Sequence, residues 1–333
     1  MRRWQWWPRA AAHNWLSAAT ATLTATSLTA AVFAAGALAA PAASAATQVC
    51  RSASDPTLAA TMSSDIKAAF QGRTSRVGIH VDDPSLNLTC SLNSYLHFYS
   101  ASTVKAIILA ALLRKADSQH RGLTAKEKSE AWSMITVSDN NAATYLWKDT
   151  GRTALQHFLN LAGMSHTVLG PGGYWGLTQE TAYDESLLLH LLVTPNTVLT
   201  KADRSYALYL TAHVTSSQRW GTPAGVPSRY TVHVKNGWLP VSGYGWIINS
   251  LGAFTQSGPD YTMDVLTDHN ATMAYGITTI ENIAVAANHD LNTASASTSA
   301  AASAATATVP RSTPSASWGK PDEVIPASMR PGH

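Results

Sequence analysis

The chain has 333 residues, 45% of them hydrophobic and 13% charged, which suits a sizeable globular core and excludes a wholly disordered protein. Its net charge of +3 comes from 23 basic and 20 acidic residues. Arg2, Arg3 and Arg9 lie in an acid-free N-terminal stretch, so the remainder is balanced, and nothing electrostatic points to nucleic acid or an anionic membrane surface.

Residues 1–45 read as an export signal peptide. A basic start is followed by a weakly apolar Ala/Thr-rich run and the small-residue cleavage site Ala43-Ser44-Ala45. That site and the weak hydropathy speak against an uncleaved anchor, and the surroundings of Arg2-Arg3 match a twin-arginine signal poorly. A secreted protein with no membrane attachment after cleavage is expected. Cys50 and Cys90 are the two cysteines, and an even count in an exported chain suggests one disulfide.

The stretch "DPTLAATMSSDIKAAFQG" has helical spacing, with Asp55 or Thr57 as its start signal. "RVGIHVDD" alternates like a strand, and "LNLTCSL" follows as its hairpin partner. From Ser102 to about Val214 nearly every segment reads helical. Strands return with "RYTVHVKNG", "GYGWIINSLGAF" and "DYTMDVLTD", and the helix "GITTIENIAVAANHDL" closes the pattern. The expected fold is an α/β (α+β) sandwich: an antiparallel sheet built from residues 50–100 and 228–290, with an all-helical part, 101–227, inserted into it. The folded domain is expected over 46–290. The Ala/Ser/Thr/Pro-rich stretch 291–333 cannot bury a core and is expected to be a disordered tail.

Three short motifs carry chemistry. Ser102 and Lys105 stand at i and i+3, so at a helix start they share one face with Cβ atoms about 5–6 Å apart. A hydroxyl is a poor nucleophile until a base takes its proton, and a lysine near a helix N-terminus and another cation can be that base. The bland alternative is a helix-capping serine. Ser138-Asp139-Asn140 falls at a helix–helix junction, where it reads either as an N-cap or as a relay hydroxyl plus a substrate-binding amide. Lys235-Asn236-Gly237 ends an alternating run, where glycine permits close approach of another backbone. The alternative there is a turn with an exposed lysine.

In this order the three motifs resemble S-x-x-K, S-D-N and K-T-G, the signatures of penicillin-recognising serine enzymes, and the chain resembles the class A β-lactamase family over residues 50–290. "TAYDESLLLHLL", "QRWGTPAGVP", "DYTMDVLTD" and "GITTIENIA" resemble further family segments. The resemblance implies Ser102 as the acylated nucleophile and Lys105 as its base. It implies Ser138 as proton relay to the leaving nitrogen, Asn140 as substrate and Lys105 holder, and Lys235 as positive charge near the substrate carboxylate. The backbone N–H groups of Ser102 and Trp238 would form the oxyanion hole. Asn236 and Gly237 would contact substrate, although Asn236 replaces the family's hydroxyl residue.

The family's deacylating loop glutamate has no obvious counterpart, since no acid lies between Leu169 and Gln179. Glu180 is the nearest candidate for a deacylation base, but it falls where the next helix should start and reads there as first-turn charge stabilisation. Asp184 and Glu185 read as helix surface or packing residues. The 12 histidines form no metal-ligand spacing, and no cofactor is implied. His233 shares a strand face with Lys235 and reads as exposed; Trp175, Trp220, Trp238 and Trp246 are burial candidates, with Trp238 the best placed to wall a cleft. The expected function is a secreted, monomeric serine hydrolase opening a β-lactam through an acyl-Ser102. The alternatives are a cell-wall D-Ala-D-Ala peptidase or acyl-transferase, an esterase, or a binding module that kept the fold.

Overall fold

The computed structural model describes residues 48–257, 260–298 and 309–311. The expected signal peptide and most of the expected tail lie outside these residues. The chain enters the fold through β1 (Cys50–Ser52) and α1 (Pro56–Ala69), then forms β2 (Arg76–Asp83), β3 (Leu88–Leu92) and the short β4 (Phe98–Tyr99). Four helices follow: α2 (Val104–Ser118), α3 (Ala125–Thr136), α4 (Asn140–Thr150) and α5 (Arg152–Ala162). After β5 (Gln179–Glu180) come α6 (Ala182–Val193) and α7 (Lys201–Ala212), then β6 (Thr231–Val241), β7 (Gly245–Thr255), β8 (Tyr261–Asn270) and α8 (Met273–Thr298).

Six strands form one antiparallel sheet in the order β1-β3-β2-β8-β7-β6, so strands from the two ends of the domain meet at the β2–β8 pair. Alternation along β8 divides its side chains between two helical layers. The Tyr261 hydroxyl donates to Asn288 on α8, while Asp264 lies beside Glu180 and Glu185 on the α6 side. The expected fold class, an antiparallel sheet with an inserted helical block, is the one observed. Helix α2 is the axis of that block. Its run "VKAIILAALL" is buried throughout, as an all-round apolar helix must be.

The predicted disulfide is present. Cys50 and Cys90 are direct partners in the β1–β3 register, and both are fully buried. It ties the start of the domain to β3 and closes a sequence separation of 40. Replacing both cysteines with serine is expected to cost about 2–4 kcal/mol of unfolding free energy, read by denaturant titration. A loss under about 0.5 kcal/mol would contradict a structural role for the bridge.

The C-terminal boundary differs from expectation. Helix α8 passes residue 290 and continues to Thr298, because "NTASAST" contains neither Pro nor Gly to stop it. Val309 also belongs to the fold: it accepts a bond from Gly225 N–H at 2.9 Å and donates to Val226 O at 2.8 Å. Among the described residues no helix is long and apolar enough to cross a membrane.

Candidate active site

The three sequence motifs, far apart in the chain, converge. Ser102 sits in a tight turn just ahead of α2, where Thr103 N–H bonds Ser100 O at 3.2 Å and Lys105 N–H bonds Ser102 O at 3.3 Å. Ala101, at the turn's apex, holds a left-handed φ of 49°, uncommon for a non-glycine residue. The expected helix start at Ser102 is thus two residues early, and Ser102 is no capping residue. Position N-cap of α2 belongs to Thr103, which makes no side-chain cap.

The second motif divides its labour. Asp139 is the N-cap of α4, its carboxylate accepting from Ala142 N–H at 2.7 Å. That frees Ser138, held at φ 59°, and Asn140 to face Lys105. The fully buried Lys105 Nζ donates to Ser138 O at 2.7 Å and to Asn140 Oδ1 at 2.7 Å, and lies 3.1 Å from Ser138 Oγ. Two of its hydrogens therefore go to atoms that can only accept. In the neutral amine the lone pair remains for a hydroxyl, which is the arrangement a general base needs.

Lys235 reaches the same hydroxyl from β6. Its Nζ lies 3.0 Å from Ser138 Oγ and donates to Asn236 O at 2.7 Å. Burial pushes the Lys235 amine down to about 7, so near neutrality it exchanges protons readily. Ser138 Oγ, bridging two amines with its single hydrogen, is built to accept from one and donate to the other.

Gly237 explains how strand and turn meet. A Cβ there would sit 2.6 Å from Ser100 O, 2.9 Å from Ser102 N and 3.0 Å from Thr103 N. The strand backbone therefore presses directly on the Ser100–Thr103 turn, as the close-approach reading of this glycine required. Trp238 follows it, half-buried and edge-on to Trp220 at 6.1 Å between ring centroids.

Asn236 does not face a substrate pocket with its amide. Both Nδ2 hydrogens go to backbone carbonyls, Gln218 O and Trp220 O, each at 2.9 Å. It straps the preceding segment to β6, so its expected place as a substrate-binding donor is corrected to a structural tie. Asn236→Ala should cost about 1–3 kcal/mol of stability, because the buried Trp220 carbonyl and the part-buried Gln218 carbonyl lose this donor. Denaturant unfolding that registers less than about 0.5 kcal/mol would contradict this tie.

Glu180 is also corrected. It lies on β5, before Thr181 caps α6; the first-turn acids of that helix are Asp184 and Glu185, both fully buried rather than on the surface. Burial pushes Glu180 up to about 8 and pushes Glu185 and Asp264 well above the ordinary carboxylate range. Glu180 bonds Thr103 through Oε2, while its Oε1 and both Glu185 oxygens are buried without a hydrogen-bond partner among the described residues. Fully buried and held toward its neutral form by that burial, Glu180 is poorly placed to activate water. The loop ahead of it carries an aromatic ring instead: Trp175 stacks on Lys105, with Nζ 4.7 Å from the ring centroid. That loop is stitched to the Ser100–Thr103 turn by Ala101 N–H to Gly176 O at 3.0 Å and Ser100 N–H to Thr178 O at 2.8 Å.

His233 is buried, not exposed, and its ring bonds Leu208 O at 2.8 Å and Thr255 Oγ1 at 2.9 Å. Trp175 and Trp220 are buried, and Trp246 is partly so. Sequence reading missed Asn249, whose Nδ2 bonds Tyr99 O at 2.9 Å and Ser100 O at 3.2 Å and so braces the turn from β7. It also missed Thr103. A polar residue in the middle of the apolar β7 was the available signal for Asn249.

With this geometry in place, comparisons with known proteins are informative. A model of the "Beta-lactamase enzyme family" matches residues 61–131 and 126–291. No curated protein matches the chain. The TLA-3 extended-spectrum β-lactamase superposes with a TM-score of 0.62 at 17% identity, covering 69% of this chain and 98% of that one. A representative class A β-lactamase from Bacteroides cellulosilyticus gives 0.61 at 16%, covering 70% and 98%. A β-lactamase from Streptosporangium roseum gives 0.58 at 22%, covering 68% and 96%. The family match spans most of the chain, and the superpositions share its fold: this protein belongs to the β-lactamase enzyme family, as a divergent member.

Proposed function

We propose that this chain is an exported serine hydrolase that opens β-lactam amides through an acyl-enzyme on Ser102. One observation carries the reading: two buried lysines from distant segments converge on the Ser138 hydroxyl, beside a turn that presents Ser102 against Gly237. Neutral Lys105 takes the Ser102 proton as Oγ bonds the carbonyl carbon. The ring C–N bond then breaks, and Ser138 Oγ hands its proton to the leaving nitrogen while the lysines resupply it. The N–H groups of Ser102 and Trp238 are the oxyanion donors in this reading, each worth a few kcal/mol at the transition state. Hydrolysis of the ester returns the proton to Ser102. The monomer needs no cofactor for any of these steps. The export signal and the disulfide support a secreted location.

A second reading, a peptidase or acyl-transferase on D-Ala-D-Ala-like cell-wall peptides or an esterase, is favoured by one feature. Glu180 is fully buried and Trp175 covers Lys105, an arrangement that disfavours carboxylate activation of water at the acyl-enzyme. Incubation with benzylpenicillin separates the two readings. Steady release of penicilloate supports the β-lactamase, and a stoichiometric adduct that persists supports the second. Full hydrolytic activity in Ser102→Ala would sink both.

A further inference from the structure

Thr103 directly follows the nucleophile, and its Oγ1 lies 2.7 Å from Ser100 O and 2.6 Å from Glu180 Oε2. A threonine hydroxyl has one hydrogen, and a carbonyl can only accept. The two short contacts therefore need a second hydrogen, and the carboxyl is the group able to supply it. Thr103 donates to Ser100 O, and Glu180, as a carboxylic acid, donates to Thr103. Burial favours the neutral acid, and the neighbouring acids add to it. Glu185 and Asp184 come from α6, Asp264 from β8 and Thr103 from the nucleophile turn; His80 lies opposite Asp264 in the β2–β8 register. His80 is held below its ordinary value by burial, so none of these neighbours offers Glu180 a cation.

We infer that Glu180 is a positioning residue which, as a neutral acid, holds the Ser100–Thr103 turn in the shape that presents Ser102 for acylation. The inference rests on Ser102 being the acylated nucleophile. It gives the buried acid cluster a purpose: three carboxyls packed together keep one another protonated, and one of them reaches the turn. Ionised Glu180 would demand the Thr103 hydrogen for itself, leaving Ser100 O only its longer bonds from Thr103 N–H and Asn249 Nδ2. The turn, already holding Ala101 at a left-handed φ, would lose one of its tethers.

The consequence is a pH dependence that separates from the lysines. Glu180 sits at about 8, so ionisation removes the donor as pH rises through that value. Lys105 and Lys235 also affect the acylation rate, but they are present in both wild type and Glu180→Gln, so the ratio of the two rates cancels them. Glutamine keeps a donor for Thr103 and cannot ionise.

The test is the rate of benzylpenicillin acylation of the full chain, followed by mass, for wild type and Glu180→Gln between about pH 6.5 and pH 9. At the acid end the variant should stay within about threefold of wild type. Toward pH 9 the wild-type-to-variant ratio should fall by about tenfold, since some nine-tenths of Glu180 is then ionised. A ratio that stays flat with pH overturns the inference. So does a variant slowed about a hundredfold at pH 6.5, which would show that the ionisable group itself, not its hydrogen bond, is required. Wild type that forms no Ser102 adduct overturns the nucleophile assignment, and the inference with it. That failure is recognisable because the variant plays no part in it.

Discussion

Lys105→Ala is expected to slow acylation of Ser102 by benzylpenicillin about a thousandfold, the scale of a lost general base. The residue is fully buried, and its Nζ supplies hydrogens to Ser138 O and Asn140 Oδ1. In the proposed mechanism its removal takes away the proton acceptor, and it deprives Ser138 O and the part-buried Asn140 Oδ1 of this donor. The second effect adds about 1–3 kcal/mol of destabilisation for each oxygen that water cannot reach. Stopped-flow acylation and denaturant unfolding read the two effects separately. Acylation within about tenfold of wild type would move the base elsewhere, with Lys235 next in line.

Gly237→Ala is the second large effect. A single methyl group would stand 2.6 Å from Ser100 O and 2.9 Å from Ser102 N, distances that Cβ atoms do not tolerate. Both opposing atoms are backbone, so β6 or the nucleophile turn must move. A shift of a few tenths of an ångström at the nucleophile is expected to lower acylation about a hundredfold. The strain should also cost about 1–3 kcal/mol of stability. Gly122→Ala is the control: nothing lies within 4 Å of a Cβ there, and its rate should be unchanged. Equal rates for the two variants would contradict the packing of β6 on the turn.

Much of this was legible in the residues. Alternation announced β2, β3 and β6 to β8, and the apolar spacing of "VKAIILAALL" announced α2, because burial sets those patterns directly. The meeting of Lys105, Ser138, Asn140 and Lys235 was legible because each motif keeps its spacing. Asp139 shows why a structural and a functional reading can both hold for one tripeptide: the acid caps the helix while its neighbours face the lysine. What escaped was direction. Nothing in "KNG" reveals that the Asn236 amide turns back to Gln218 and Trp220. Nothing in "LTQETAYDES" reveals that Glu180 and Glu185 are driven into the core beside Asp264. Isolated acids read as surface by default, because burying a charge is costly unless it is neutralised or paired. Here neutralisation by mutual burial replaces pairing, and that depends on tertiary neighbours more than 70 residues apart in the Glu180–Thr103 contact.

In the proposed mechanism the groups that acylate are assembled, while the loop ahead of β5 holds Trp175 over Lys105 and Glu180 is fully buried. Ring opening is therefore expected to outpace release, which under the β-lactamase reading still delivers penicilloate steadily.

The most direct measurement is the intact mass of the chain at minutes and hours after mixing with benzylpenicillin, with peptide mapping of the modified site. The account predicts one penicilloyl adduct on Ser102, absent in Ser102→Ala, forming within minutes and clearing slowly. An unmodified chain, or an adduct on any other residue, would contradict it.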